Sequence, residues 1–355
     1  MNVSFLLLFL KNTETPRLMS YPEYINNLLK PRITEKETVL DLFAGCGGLS
    51  LGFEAVGYKT IGFEMDASAS DTYNKNLNGK CHTIKLDIEF GYPKAEIIIG
   101  GPPCQPFSVG GNQRGIEDAR DGFPIFIDAV KKLQPKVFMF ENVRGLLYTN
   151  KWYFELVIKE LRKLGYLISY RLLNAVSYGV PQNRERLFVI GHKTKFDFPK
   201  RGNRKTIVGD AIGDLMYQSS SESKFLTSSM DQYVAKYEKA SACINPRDLY
   251  PDRPARTLTC RNLAGATGDM QRVRLKDGRR RRLTIQEASR LQSFPDWFEF
   301  IGNETSQFNQ IGNAVPPLLA WHLANAIKEC YHSNQKYTAE EIHINTVQNE
   351  VLTLF

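Results

Sequence analysis

The chain has 355 residues, 42% of them apolar and 24% charged, enough for one large core plus a smaller second domain and unlike a disordered or fibrous protein. Six cysteines at 46, 81, 104, 243, 260 and 330 include no C-x-x-C pair, so no metal site and no disulfide framework is expected, and a reducing, cytoplasmic compartment fits best. A net charge of +8 favours a polyanionic partner.

Residues 3–10 are an apolar run with neither a basic n-region nor a small-residue cleavage site, too short to span a bilayer; no membrane association is expected. Residues 1–35 read as an N-terminal extension with a short helix at 23–29. From Thr38 onward short apolar runs at 38–43, 60–64, 82–87, 96–100, 137–141 and 187–191 alternate with helical stretches. That rhythm predicts an α/β fold: a mostly parallel, doubly wound sheet with helices on both faces and ligands at the carboxyl ends of the strands.

The first strand ends in Asp41-Leu42-Phe43-Ala44-Gly45-Cys46-Gly47-Gly48, ahead of an amphipathic helix through Leu49, Phe53 and Val56. Glycines at such a turn let a ligand approach the backbone, although G-x-G-G alone is a weak cofactor signal beside a plain tight turn. Glu64 strengthens it, because an acid ending the second strand about 20 residues later is placed to bind ribose hydroxyls. Asp87 ends the third strand similarly; a helix N-cap is its other reading.

The fourth strand runs into Gly100-Gly101-Pro102-Pro103-Cys104-Gln105-Pro106-Phe107-Ser108. Two prolines stiffen the loop and present the Cys104 thiol rigidly, as suits a nucleophile; alone, an inert core thiol explains it as well. The fifth strand delivers Glu141-Asn142-Val143 to the same edge, either as a general acid beside the thiol or as the partner of an arginine. Further on, Gln182-Asn183-Arg184-Glu185-Arg186 enters the last strand. If extended throughout, it points Arg184 and Arg186 the same way, toward an anion or a base edge.

Together these segments resemble the bacterial DNA (cytosine-5)-methyltransferases, in particular the methylases of type II restriction-modification systems. Residues 41–48 are similar to the family's cofactor glycine loop, 101–105 to its Pro-Cys loop, 141–143 to its Glu-Asn-Val motif and 182–186 to its Gln-x-Arg-x-Arg motif. Residues 283–294 and 310–317 resemble its closing motifs, and the order holds from about Thr38 to Cys330. The resemblance implies a Rossmann-like methyltransferase domain that uses S-adenosyl-L-methionine, with Phe43, Gly45, Gly47, Gly48, Glu64, Met65, Asp87, Ile88, Pro102, Asn313 and Val315 around the cofactor. Phe123 departs from the family's usual leucine in the segment 118–123. The closing motif is expected beside the first strand, with Pro316-Pro317 opening a last helix at 318–330.

The resemblance also implies the chemistry. Cytosine C5 becomes nucleophilic once a thiolate, from Cys104, adds at C6. Glu141 would assist at N3, Arg186 would hold O2, and Arg184 would meet a phosphate or brace the loop. The base must leave the duplex, at a cost of roughly a few kcal/mol, and the stretch 108–122 with Gly110, Gly111 and Gly115 is expected to close over it.

The domain boundaries that follow are 36–191 for catalysis and cofactor binding, 192–275 for target recognition, 276–334 for the return to the catalytic domain, and 335–355 for a tail. Gln105, Ser108, Gln182 and Thr257 are expected at the DNA. So are Arg279, Arg280, Arg281 and Arg282, in a hairpin turned by Asp277-Gly278, although a basic run is also simply a solvated face. Thr257 has an alternative as part of a strand in a small sheet. Thr284-Ile285-Gln286-Glu287 reads as a capping box opening a helix that Pro295 ends. The expected partner is double-stranded DNA met by a monomer, with a cognate restriction endonuclease as functional partner. Rival readings are a solitary epigenetic methylase, a transfer-RNA cytosine methyltransferase, in which asparagine is typical at position 182, a silent DNA-binding relative and, distantly, a nicotinamide oxidoreductase.

Overall fold

The computed structural model describes residues 19–104, 121–202, 205–221, 223–240, 242, 247–265 and 268–335. Helix α1 (Tyr21–Leu28) begins with a complete capping box between Ser20 and Glu23. Its Ile25, with Leu29 just beyond, is buried in the main core, so this part of the expected extension is packed into the fold.

Then follow β1 (Thr38–Leu42), α2 (Gly48–Val56), β2 (Lys59–Glu64), α3 (Ala67–Asn76), β3 (Lys80–Thr83), β4 (Ile97–Gly100), α4 (Phe123–Leu133) and β5 (Val137–Val143). After α5 (Gly145–Tyr148) and α6 (Lys151–Lys163) come β6 (Leu167–Asn174), β7 (Gln182–Asn183) and β8 (Glu185–His192). The remaining elements are α7 (Val208–Ile212), α8 (Ser228–Ala240), β9 (Ala255–Arg256), α9 (Cys260–Ala264), β10 (Arg272–Arg274), β11 (Arg280–Arg282), α10 (Ile285–Leu291), α11 (Glu304–Asn313) and α12 (Pro317–His332).

One sheet of order β3-β2-β1-β4-β5-β8-β6 forms the centre. Its first five strands are parallel, and β8 runs antiparallel to both β5 and β6. The period-2 alternation of side chains divides the core in two. Val39, Ile97, Ile99, Val137, Met139, Phe188 and Ile190 face α2 and α12, whereas Leu40, Ile98, Phe138, Phe140, Leu187 and Val189 face α4 and α6. Helices α2 and α12 approach so closely that a Cβ on Gly52 would stand 2.5 Å from Ala320.

A third apolar cluster runs from Val208, Ile212 and Leu258 through Val273 and Leu291 to Phe308 and Ile311, and reaches Ala44 and Leu51 beside the glycine loop. The later part of the chain is thereby packed onto the end of the sheet that carries the functional loops. The β10–β11 hairpin forms with Gly278 at φ +88°, as the Asp-Gly turn requires.

Four local expectations are corrected. Strand β3 stops at Thr83, so Asp87 lies in the loop beyond it and takes part in a turn, with Glu89 N donating to Oδ1 at 2.9 Å; no helix follows for it to cap. Helix α10 ends at Leu291, well before Pro295, because Ser293 turns left-handed at φ +64°. The last helix starts one residue earlier than expected, at Pro317. Strand β6 was not anticipated, since its half-exposed sequence LISYRLLN dilutes the apolar run.

Candidate active site

Strands β1, β2, β4 and β5 release their loops at one edge of the sheet. Phe43 leaves β1 with φ +62°, a costly value for a bulky residue, and Gly45 and Gly47 continue at +54° and +87°. This tight path brings Gly45 N to Glu64 Oε2 at 2.9 Å, while the other Glu64 oxygen accepts from Met65 N and Asp66 N at 2.8 Å. Behind the loop, a Cβ on Gly48 would lie 2.7 Å from the Val315 carbonyl oxygen, and one on Gly47 would lie 2.8 Å from Tyr73. In front, a Cβ on Gly45 would meet nothing within 4 Å. The closing motif thus packs against the glycine loop as expected, leaving open space on the side where Glu64 stands.

That open side carries Met65 and Ile88, apolar yet 69% and 58% exposed. Exposed apolar side chains beside a carboxylate and an open glycine turn suit a nucleoside with an extended substituent. The residues present therefore fit S-adenosyl-L-methionine. Asn313, at the end of α11, is exposed and accepts from Cys260 Sγ at 2.9 Å through Oδ1. Under the loop, Asp41 is buried, accepts from Ser50 Oγ at 2.6 Å, and is pushed up by burial to about 7.

On the other side of β4, Pro102 is buried and Cys104 half-buried. Asn142 Nδ2 donates to Pro102 O at 2.9 Å and Gly122 N donates to Pro103 O at 2.9 Å, so the backbone behind the thiol is fixed from two directions. Burial first, then the charge of Asp121, push the Cys104 thiol up to about 11. Glu141 Oε1 lies 2.9 Å from Arg186 Nε, and its other oxygen is 3.7 Å from where a Cβ on Gly101 would stand. Burial raises the Glu141 carboxyl above its ordinary range, and Arg186 and then Arg184 oppose that shift. A thiol, a carboxyl with raised proton affinity and a guanidinium thus share one strand edge.

Arg184 departs from the expectation of a shared face with Arg186. It falls between β7 and β8, outside either strand, and turns inward. It is 1% exposed and donates to Leu258 O at 2.6 Å and Gly312 O at 3.1 Å, so it braces three segments and cannot reach a phosphate or a substrate. Gln182 is likewise buried. Its Oε1 accepts from Leu258 N at 2.8 Å and its Nε2 donates to Gln292 Oε1, which removes it from any DNA-facing surface. Thr257 follows β9, which pairs with β7, and its hydroxyl donates to Asn183 O at 2.6 Å; the small-sheet alternative describes this element.

The arginine run also divides. Arg281 is buried and bonded to both Glu287 oxygens at 2.7 Å. Arg280 pairs with Asp248, Asp231 and Glu238, and Arg282 donates to Leu263 O at 3.1 Å. Only Arg279 of the four is exposed, over the Phe225 ring at 4.4 Å. Three of the four are therefore structural, because desolvated guanidinium groups need carboxylate and carbonyl partners. Missed at the sequence level was Asp248, which collects Arg272, Arg274 and Arg280; partners 24 to 32 residues away leave no local signal. Gln105, Ser108 and the closing stretch up to Arg120 lie outside the described residues.

The five-strand parallel run, the inserted antiparallel strand and a cofactor-fitting edge beside a Pro-Cys loop define a Rossmann-like methyltransferase. Solved structures agree on the fold: the methyltransferase EhMeth of Entamoeba histolytica superposes with a TM-score of 0.64 at 17% identity, over 83% of this chain and 99% of that one. Residues 38–329 match the C-5 cytosine-specific DNA methylase family, and the chain belongs to it, as a DNA (cytosine-5)-methyltransferase. Among its relatives, the type II methyltransferase M.AplI of Arthrospira platensis is 55% identical over 87% of this chain and 91% of its own length. The type II methyltransferase M1.HphI of Haemophilus parahaemolyticus is 35% identical over 82% and 86%.

Proposed function

We propose that this enzyme methylates C5 of one cytosine within a specific double-stranded DNA sequence, by covalent addition of Cys104 to C6 of an extruded base. The observation that carries the reading is the convergence of Cys104, Glu141 and Arg186 at one strand edge, with the glycine loop and Glu64 across β4 from them. Glu141, with its raised proton affinity, protonates or strongly hydrogen-bonds N3, which makes C6 electrophilic toward the Cys104 thiolate. Arg186, fixed by Glu141, donates to O2. Arg184 acts through the segments it braces and is a positioning residue. Phe43, Gly45, Gly47, Glu64, Met65, Asp87, Ile88, Pro102 and Asn313 would hold S-adenosyl-L-methionine, which would supply an electrophilic methyl group. After C5 has taken the methyl, loss of its proton expels Cys104 and restores the ring.

Residues 192–275 serve target recognition, flanked by catalytic segments 36–191 and 276–334 with a tail at 335–355. The enzyme acts in the cytoplasm as a monomer and protects host DNA from a cognate restriction endonuclease, as the type II relatives suggest. Bisulfite sequencing of DNA from a host expressing the chain tests the activity: a single recurrent methylated motif is expected, and the absence of methylated cytosine refutes the proposal.

A further inference from the structure

Asp121, near the end of the segment 118–123 that resembles the family's and without a role of its own so far, and Tyr153, which belongs to none of the motifs, are both buried next to the site, at 4% and 1% exposure. The Tyr153 hydroxyl, on α6, donates to Asp121 Oδ2, and Phe123 N donates to Asp121 Oδ1 at 3.1 Å. The next residue, Gly122, places its N–H on Pro103 O and is wedged between that proline and Phe43. A Cβ there would stand 2.5 Å from Pro103 Cδ and 2.9 Å from Phe43 Cζ. Phe123 then seats in the core against Phe140 and Tyr153, at ring-centroid distances of 5.2 and 5.7 Å. The start of α4 is thereby pinned, and Pro103, which the N–H of its N-cap residue Gly122 grips, immediately precedes the nucleophile.

We infer that Asp121, held by Tyr153, is a positioning residue for Cys104: a buried carboxylate that locks the Gly122–Pro103 contact behind the thiol and sets a negative charge within electrostatic reach of the sulfur. The inference rests on Cys104 being the nucleophile. A carboxylate here is costly unless hydrogen-bonded, and the Tyr153 hydroxyl and Phe123 amide meet that need. Its charge adds to burial in favouring the protonated thiol, so the sulfur stays unreactive until a base arrives. Among the described residues, Glu141 on β5 and Arg186 on β8 carry charge at the same edge and pair at 2.9 Å.

The test follows alkylation of Cys104 by iodoacetamide in the full chain without DNA, from pH 7 to 11, read on the Cys104 peptide by mass spectrometry. Asp121→Asn removes the charge and is expected to lower the midpoint and raise the rate at pH 8 by about three- to tenfold, a tenfold change corresponding to one pKa unit. Tyr153→Phe keeps the charge but loses the clamp; its midpoint is expected to stay, with kcat reduced several-fold at unchanged KM for DNA. An unmoved midpoint in Asp121→Asn, or a parental kcat in Tyr153→Phe, overturns the inference. If Asp121→Asn does not fold, Asp121→Glu replaces it, with a parental midpoint and lowered kcat expected; a parental kcat overturns it. Covalent trapping of the parent by 5-fluorocytosine DNA is scored separately, so failure here is distinguishable from failure of Cys104 as nucleophile.

Discussion

Glu141 and Arg186 meet at 2.9 Å across the antiparallel β5–β8 pair, where Val143 lies opposite Arg186 and Glu141 opposite Phe188. The reversed strand β8 places a cation beside an acid whose proton affinity burial raises, and that cation opposes the rise. The pair holds the acid in a fixed rotamer next to the Pro-Cys loop. Glu141→Gln retains shape but not the exchangeable proton, so kcat is expected to fall by roughly 10²–10⁴ while DNA affinity changes little. Steady-state kinetics with a binding assay checks this.

Gly48 has its missing Cβ aimed at the Val315 carbonyl oxygen, 2.7 Å away. Gly48→Ala must separate the glycine loop from the closing motif. A stability loss of about 1–3 kcal/mol is expected from overpacking, together with weakened binding of S-adenosyl-L-methionine, measurable by denaturation and calorimetry.

Asp41 has a carboxyl raised to about 7 from an ordinary 3.8, with burial as the main cause and Ser50 as its hydrogen-bond donor. A carboxyl raised in the folded state binds more protons there than when unfolded. Stability therefore falls as pH rises from about 4 to about 7, on the order of a few kcal/mol, and levels off above. Asp41→Asn, which can still accept from Ser50, is expected to flatten that slope in pH-dependent denaturation; an unchanged slope assigns the pH dependence elsewhere.

Arg281 and Arg279 lie two residues apart in one hairpin, the first buried on Glu287 and the second exposed beside Asp277. Removing Arg281 leaves Glu287 buried without its partner, so Arg281→Ala is expected to destabilise by about 3–5 kcal/mol. Arg279→Ala is expected to leave stability near parental, weaken DNA binding uniformly across sequences and reduce the salt slope by about one. Titrations at several salt concentrations separate the two.

This division shows what the sequence could and could not reveal. Strand rhythm exposed the sheet, because continuous apolar runs buried on both faces leave a strong local trace, and the fold is the one it predicted. The glycine loop, Glu64, Cys104 and Glu141 stood out for the same local reason: each lies near or just beyond the carboxyl end of a strand. Gln182 and Arg281 read as DNA contacts, and Arg184 as a phosphate contact or a brace, because long-range partners such as Leu258, Gly312 and Glu287 leave no mark at those positions. Burial of an arginine depends on chain far away, and composition counts every arginine as exposed charge.

The most direct measurement incubates the enzyme with S-adenosyl-L-methionine and duplex DNA carrying 5-fluorocytosine at the methylated position, where loss of the C5 proton is impossible. A denaturation-resistant complex mapping to Cys104, absent in Cys104→Ala, is predicted. A complex formed equally by Cys104→Ala, or mapped to another residue, would contradict the account.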